Sequence, residues 1–230
     1  MFRWCPLSKS VNKSVISLCD KTGIMVKPWA RAGYQCYCVD VQHSIRKDRV
    51  EKYPVCAAEI NGQMCTLIGE INYVWGDVRS WLPPDGVDIG IVFAFPPCTH
   101  LTCSDARDFR KKGGWMLHDG LMCFDACNVA GRYSGAPYMT ENPIGRLNTH
   151  RRPPDYKFHP WQYGDPYTKN TGIWCGNGFI MPPPTVKIKP AEATSKMHEM
   201  PPSDDRANLR SETPAGFAEA VFRANRKLLK

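Results

Sequence analysis

Apolar residues fall in short runs separated by polar turns, the rhythm of strands alternating with helices. Val15-Ile16-Ser17-Leu18 predicts a strand that enters a turn at Cys19-Asp20-Lys21-Thr22-Gly23. A helix is expected next, ending near Gly33, with Pro28 tolerated only in its first turn. Cys36 to Val41 predicts a second strand ending at Asp40, followed by a strand near Thr66-Ile71 and a turn at Trp75-Gly76-Asp77. The run Ile89 to Phe95 is apolar on both alternating faces, as a central parallel strand is, and it stops at Pro96-Pro97-Cys98. Residues 115–130 carry a helical apolar pattern at Met116, Leu117, Leu121, Phe124 and Ala130. Tyr138-Met139-Thr140 reads as a short strand ending at Glu141-Asn142-Pro143, and Ile173-Trp174-Cys175 as another. Between them, 145–170 reads as a basic, aromatic loop, and 181–203 is a proline-rich connector. A last helix is expected with Thr213 as N-cap, Pro214 at its first position and an apolar stripe of Phe217, Ala220, Val221 and Leu228.

Alternation of this kind predicts an α/β fold with an open, mostly parallel sheet. Such sheets bind ligands at the carboxyl ends of their strands. Asp20, Asp40, Asp77, Cys98 and Glu141 all stand at predicted ends of that kind.

Composition narrows the partners. The chain has 230 residues, enough for one catalytic domain over 1–230 and too few for two large ones. Its formal charge of +8 favours a polyanion such as nucleic acid. The 11 cysteines are odd in number and several lie in apolar runs, which argues for reduced thiols in a cytoplasmic protein rather than a disulfide framework. Neither a signal-type leader nor an 18-residue apolar span is present, so no membrane is expected. The Cys98-x-His100 and Cys103 group could tempt a metal reading, as could Cys123 with Cys127. Neither has Cys-x-x-Cys spacing, and the expectation is no metal.

Each polar strand end suggests a task. Pro96 and Pro97 stiffen the turn before Cys98, which suits a thiolate nucleophile presented from a fixed loop. Glu141 offers a carboxylate that can serve a ring nitrogen. Asp40 lies 20 residues after Asp20, a spacing that suits ribose hydroxyls. The Gly-x-Gly phosphate fingerprint is absent, so a cofactor without phosphates is expected. Asp77 can accept a hydrogen bond from an adenine amino group.

In order, these residues resemble the cytosine-C5 DNA methyltransferase family, in its short phage form. Leu18-Cys19-Asp20-Lys21-Thr22-Gly23 looks like the family's first motif, with Asp20 and Thr22 in place of glycines. Phe95-Pro96-Pro97-Cys98 looks like its nucleophile motif, and Glu141-Asn142 like its glutamate motif. Tyr163 to Lys169 looks like a later basic motif in which Lys169 replaces arginine, and Arg210 to Ala224 weakly resembles the closing motifs. The resemblance implies a Rossmann-like fold that binds S-adenosylmethionine through Leu18, Cys19, Asp20, Thr22, Gly23, Asp40, Val41, Asp77, Val78 and Pro96. It implies catalysis by Cys98, Glu141 and Lys169 on a cytosine flipped from double-stranded DNA, and protection of a phage genome in its host's cytoplasm. Pro97, Asn142, Arg146, Arg151, Arg152 and Trp161 are the expected substrate or DNA contacts. The family's large target-recognition region shrinks here to 181–205, which leaves 145–170 as the substrate loop. The same base chemistry would serve RNA or a free nucleotide, and a binding-only protein on this fold is the other alternative.

Overall fold

The computed structural model describes residues 13–60, 63–102, 109–195 and 212–229. Strands β1 (Lys13–Leu18), β2 (Gln35–Asp40) and β5 (Asp88–Ala94) form where the apolar runs predict them. Both faces of these strands are buried. Val15, Cys36, Cys38, Ile91 and Phe93 enter one core, while Ile16, Leu18, Val39, Val92 and Ala94 enter another on the opposite face. A strand buried on both sides has no polar alternation to show, which is why these three read so clearly.

Helices cover both faces. On the first, α1 (Lys27–Arg31) and α4 (Ala215–Asn225) meet through Trp29, whose ring lies 6.0 Å from Phe93 and 5.0 Å from Phe222. On the second, α2 (Phe109–Tyr133, interrupted at Gly113) buries Leu121, Phe124 and Cys127. Met116 is 42% exposed and Ala130 is exposed, so two positions of the expected stripe face outward. The buried positions Leu121, Phe124 and Cys127 follow one another at intervals of three along one face of the helix.

The sheet has eight strands in the order β3-β4-β2-β1-β5-β6-β8-β7, completed by β3 (Arg49–Ile60), β4 (Gln63–Trp75), β6 (Tyr138–Pro143), β7 (Tyr156–Phe158) and β8 (Thr171–Gly176). The neighbours β4-β2-β1-β5-β6 are parallel, and β3, β8 and β7 pair antiparallel at the flanks. The architecture is therefore α/β with an open mixed sheet, mostly parallel. The chain leaves β1 for β2 on one side and returns to β5 on the other. A crevice opens at such a switch point, outside the carboxyl ends of β1 and β5.

Several expectations need correction. One strand near Thr66-Ile71 becomes an antiparallel pair, β3 with β4. Pro54, Arg49, Glu51 and Lys52 interrupt any apolar run in β3, yet an edge strand tolerates charge and a proline beside a register shift. Residues 145–170 are not a plain loop, since they hold α3 (Leu147–His150), a 3-10 turn (Pro160–Tyr163) and β7. Helix α4 starts at Ala215 with Pro214 as N-cap, and no side chain caps it, so Thr213 does not play that part. Leu228 is 38% exposed and Leu229 is the buried residue, because the chain tightens to a 3-10 turn at Arg226–Leu229 and loses the 3.6-residue phase. The described part of the connector, 181–195, lies against 160–168 through Tyr163 Oη→Pro182 O and Thr185 N→Gln162 O. Residues 196–205, Cys103 and Arg210 lie outside the described residues. Among the described residues no helix is long and apolar enough to cross a membrane.

Candidate functional site

The turn after β1 is built around Asp20, which is only 4% exposed. Its Oδ1 accepts from Thr22 N at 3.0 Å, Gly23 N at 2.7 Å and Thr22 Oγ1 at 3.2 Å, while Oδ2 accepts from Ser17 Oγ at 2.7 Å. Ile24 N donates to Thr22 Oγ1, so the side chains of the turn take up its backbone donors. A phosphate-binding loop needs those N–H groups directed at its ligand. Here they are spent inward. The Asp20 carboxylate shapes the loop, a role the sequence did not show. Gly23 has φ 69, and a Cβ there would stand 2.7 Å from Tyr73 Oη. His43 Nε2 lies 3.1 Å from Asp20 O and its ring meets Tyr73 edge to face, so residues from beyond β2 and from β4 buttress the turn. Leu18 gives its side chain to the core and its carbonyl to Phe95 N at 2.9 Å, fastening the exit of β1 to that of β5.

Asp40 ends β2 at 7% exposure and accepts from Gln42 N at 2.7 Å. Burial pushes its carboxyl above the usual range, against the pull of that backbone bond. Val41 beside it is 56% exposed. Asp77 is held by Arg79 through Nε–Oδ1 at 2.9 Å and Nη2–Oδ2 at 2.6 Å, which draws its carboxyl below the usual range. Arg79 also reaches Asp119 on α2 at 3.1 Å. Both Asp77 oxygens are thus engaged by that fork, and Val78 packs against the core.

The loop after β5 and the exit of β6 are joined at three places. Asn142 Nδ2 donates to Pro96 O at 2.8 Å, Arg146 N donates to Leu101 O at 2.7 Å, and Thr102 bridges Gly145. Leu101 N and Thr102 N both donate to Cys98 O, so the chain turns sharply at Cys98. Pro96 is buried, Pro97 exposed and Cys98 half-buried. β6 pairs with β5 only as far as Thr140, so Glu141 lies beyond the end of β5, at the same edge as the Cys98 loop. Glu141 and Lys169 have side chains 12% and 13% exposed and form an ion pair, Nζ–Oε1 3.5 Å. The sequence named both residues without showing that they meet.

Buried polar atoms without a hydrogen bond gather here. Thr140 Oγ1, Glu141 Oε1 and Asn142 Oδ1 come from three successive residues, and His100 Nδ1 follows close after Cys98. Native proteins leave few such atoms. Alternate residues of a strand face opposite sides of the sheet, so Thr140 and Asn142 share one face, while Glu141, whose Oε1 lies 3.5 Å from Lys169 Nζ, takes the other.

The predicted DNA contacts divide. Arg151 is tied to Asp125 (Nε–Oδ1 2.7 Å) and Arg152 to Asp155 (Nη1–Oδ1 2.8 Å). Together with Trp174 and Phe124 they line a shallow groove of about 370 Å³ beside α2. Arg146 stands at the 101–102 junction, and half-buried Trp161 lies alongside His159 with ring centroids 6.5 Å apart.

Beneath the turn after β1, the Sγ atoms of Cys19, Cys123 and Cys127 all lie within 4.8 Å of one another. Sequence spacing had paired only the last two. Hydrogen bonds from Cys127 and Cys19 draw the Cys123 thiol down, and burial pushes Cys127 up.

No protein-family model matches the chain, and no curated protein matches it in sequence.

Proposed function

We propose that this chain is an S-adenosylmethionine-dependent cytosine-C5 methyltransferase acting on DNA, with Cys98 as the nucleophile. The observation that carries the reading is the junction of Pro96 with Asn142, which sets the Cys98 turn beside Glu141 at one carboxyl edge of the sheet. Asp20 and Asp40 occupy the adjoining edge, at the ends of β1 and β2. The fit to the cofactor rests on chemistry present in the site. The turn offers no phosphate cradle, Asp40 supplies a buried carboxylate for ribose hydroxyls, and carboxylates at the strand ends suit a cationic sulfonium. When bound, the cofactor supplies an electrophilic methyl group.

The chain's own residues do the rest. A cytosine inside a duplex is out of reach, so the base is taken from the stack into the cleft. The Cys98 thiolate forms a bond to C6, and the electrons displaced from the C5–C6 double bond make C5 nucleophilic. Glu141 donates a proton to N3 as the thiolate adds, and Lys169 beside it stabilises the carboxylate that remains. C5 takes the methyl group, a base removes the C5 proton, and the C6–S bond breaks to return the thiolate. Thr140 and Asn142 carry buried polar atoms able to bond a base or ordered water. Arg146 and Trp161 are assigned to the nucleic acid, by phosphate attraction and by stacking. Arg151 and Arg152, which already hold carboxylates, are assigned chiefly to fixing the substrate segment.

Transfer of radiolabelled methyl groups to duplex DNA, transfer RNA and dCMP, with nucleoside analysis, tests this reading. Label recovered as 5-methylcytosine from duplex DNA, and lost with Cys98→Ser, is the expected result. Label on RNA or nucleotide alone would move the substrate, and label retained by Cys98→Ser would exclude the covalent route.

A further inference from the structure

We propose that Cys19, Cys123 and Cys127 form a three-thiolate site for zinc that clamps the turn after β1 onto helix α2. The inference requires neither cofactor nor DNA, although Cys19 lies in the turn that the methyltransferase reading assigns to the cofactor.

Sequence spacing argues against a metal, since the chain lacks Cys-x-x-Cys. Folding changes the ligand set. Cys123 and Cys127 are four residues apart on α2, which puts them on one helix face. The same spacing serves pairs of histidines that hold zinc from a helix. Cys19 is the first residue after β1 and comes from 108 residues away, yet its Sγ lies 4.0 Å from that of Cys127.

These separations suit a metal. Zinc–sulfur bonds of about 2.3 Å in tetrahedral geometry place neighbouring sulfurs about 3.8 Å apart. The Cys19–Cys127 pair at 4.0 Å is already near that value, and no pair of the cluster is wider than 4.8 Å. Small side-chain rotations close the rest. All three are reduced, with no disulfide to consume them.

The surroundings point the same way. Cys127 is fully buried while Cys19 and Cys123 are half-buried, so the cluster is closed beneath and open on one side. Three protein ligands with one open position leave room for a water molecule. Cys19 has φ 55, a left-handed conformation rare outside glycine. Strain of that sort persists where the surroundings require it, and here it accompanies a thiol brought against two others. Binding would release the protons of whichever thiols are neutral and couple the metal to the position of residues 19–23.

The test uses the full chain, purified without metal-affinity steps, loaded with zinc, dialysed and measured for zinc by mass spectrometry. Cobalt titration, which gives sulfur-to-metal charge-transfer absorption, reads the thiolates directly. About one zinc per chain is expected in the parent protein. Cys175→Ser, at a half-buried cysteine outside the cluster, should keep it. Cys123→Ser and Cys19→Ser should each weaken zinc binding by at least about tenfold and reduce the cobalt–sulfur absorption. Cys19→Ser keeps the test decisive should the α2 variant unfold, because it changes a half-buried residue of the turn and leaves helix α2 unsubstituted, and circular dichroism checks the fold of both. Parent protein that retains no zinc overturns the proposal. So does equal zinc in Cys19→Ser, which would place the metal on other cysteines, or a Cys19–Cys127 disulfide in metal-free protein.

Discussion

Asn142 donates from Nδ2 to the Pro96 carbonyl oxygen at 2.8 Å, joining the end of β6 to the loop that carries Cys98. Asn142 is 1% exposed, so no water replaces that donor. Removing one partner of a buried hydrogen bond leaves the other unsatisfied, at a cost of about 1–3 kcal/mol. Asn142→Ala is therefore expected to lower stability by that amount in urea unfolding. Asn142→Asp, which sets an acceptor against a carbonyl, should cost at least as much. Methyl transfer should fall further than stability alone explains, because a misplacement of about 1 Å at a reacting group costs roughly a hundredfold in rate. Wild-type stability in Asn142→Ala would remove the bond from the account.

Gly145 tests the same junction from its other end. A Cβ at this position would stand 2.0 Å from Leu101 O, a backbone atom with no rotamer to escape into. Gly145→Ala must push apart the bridge between Thr102 and Gly145 and shift the chain after Cys98. A loss of about 1–3 kcal/mol is expected, the usual cost of overpacking. Gly114→Ala is the matched control, since a Cβ there meets nothing within 4 Å and alanine favours helix. Melting curves of the two variants should separate clearly, with Gly145→Ala low and Gly114→Ala unchanged or higher.

What the sequence revealed, and what it hid, follows from the range of each interaction. β1, β2 and β5 were legible because burial on both faces leaves an unbroken apolar run. β3 was not, because Pro54 and the charges of Arg49, Glu51 and Lys52 belong to an edge strand, where packing asks little of sequence. The dipeptide Asn61-Gly62 between β3 and β4 is a strong hairpin signal and was the one available clue. Strand ends announced Asp40, Cys98 and Glu141. They could not announce the partners, since Lys169 meets Glu141 and Cys19 meets Cys127 only once the sheet is assembled. Asp20 shows the limit in another way. Its place at a strand end is legible, while the hydrogen bonds its carboxylate accepts from Thr22 N and Gly23 N appear only in the folded turn.

Asp40 predicts a trade between stability and function. Its carboxyl is raised from 3.8 chiefly by burial, so the proton binds the folded state more tightly than the unfolded one. A raised carboxyl costs stability wherever it is ionised, above its folded pKa, and the cost vanishes below the unfolded value. Asp40→Asn keeps an oxygen for Gln42 N and removes the buried charge. Its melting temperature should exceed that of the parent at pH 7, and the gap should close as pH falls toward 3.8. Binding of S-adenosylmethionine, followed by calorimetry, should weaken in the same variant. A melting temperature equal to or below the parent's at pH 7 would contradict the assigned cost.

Lys169 and Glu141 should behave as a unit. Each side chain is nearly enclosed, and the pair is held at 3.5 Å. Deleting one member of a buried pair strands the other charge and costs about 3–5 kcal/mol, whereas deleting both is often close to neutral. Lys169→Met alone is therefore expected to destabilise strongly, and Glu141→Gln added to it should recover most of that loss. Methyl transfer should not recover with it, because Glu141 is assigned to the base and its amide cannot exchange a proton in the same way. Lys169→Arg keeps the charge and should retain more activity than Lys169→Met. A double variant no more stable than Lys169→Met would mean that the two side chains are not coupled. A double variant with parental activity would remove Glu141 from its proposed role at N3 of the base.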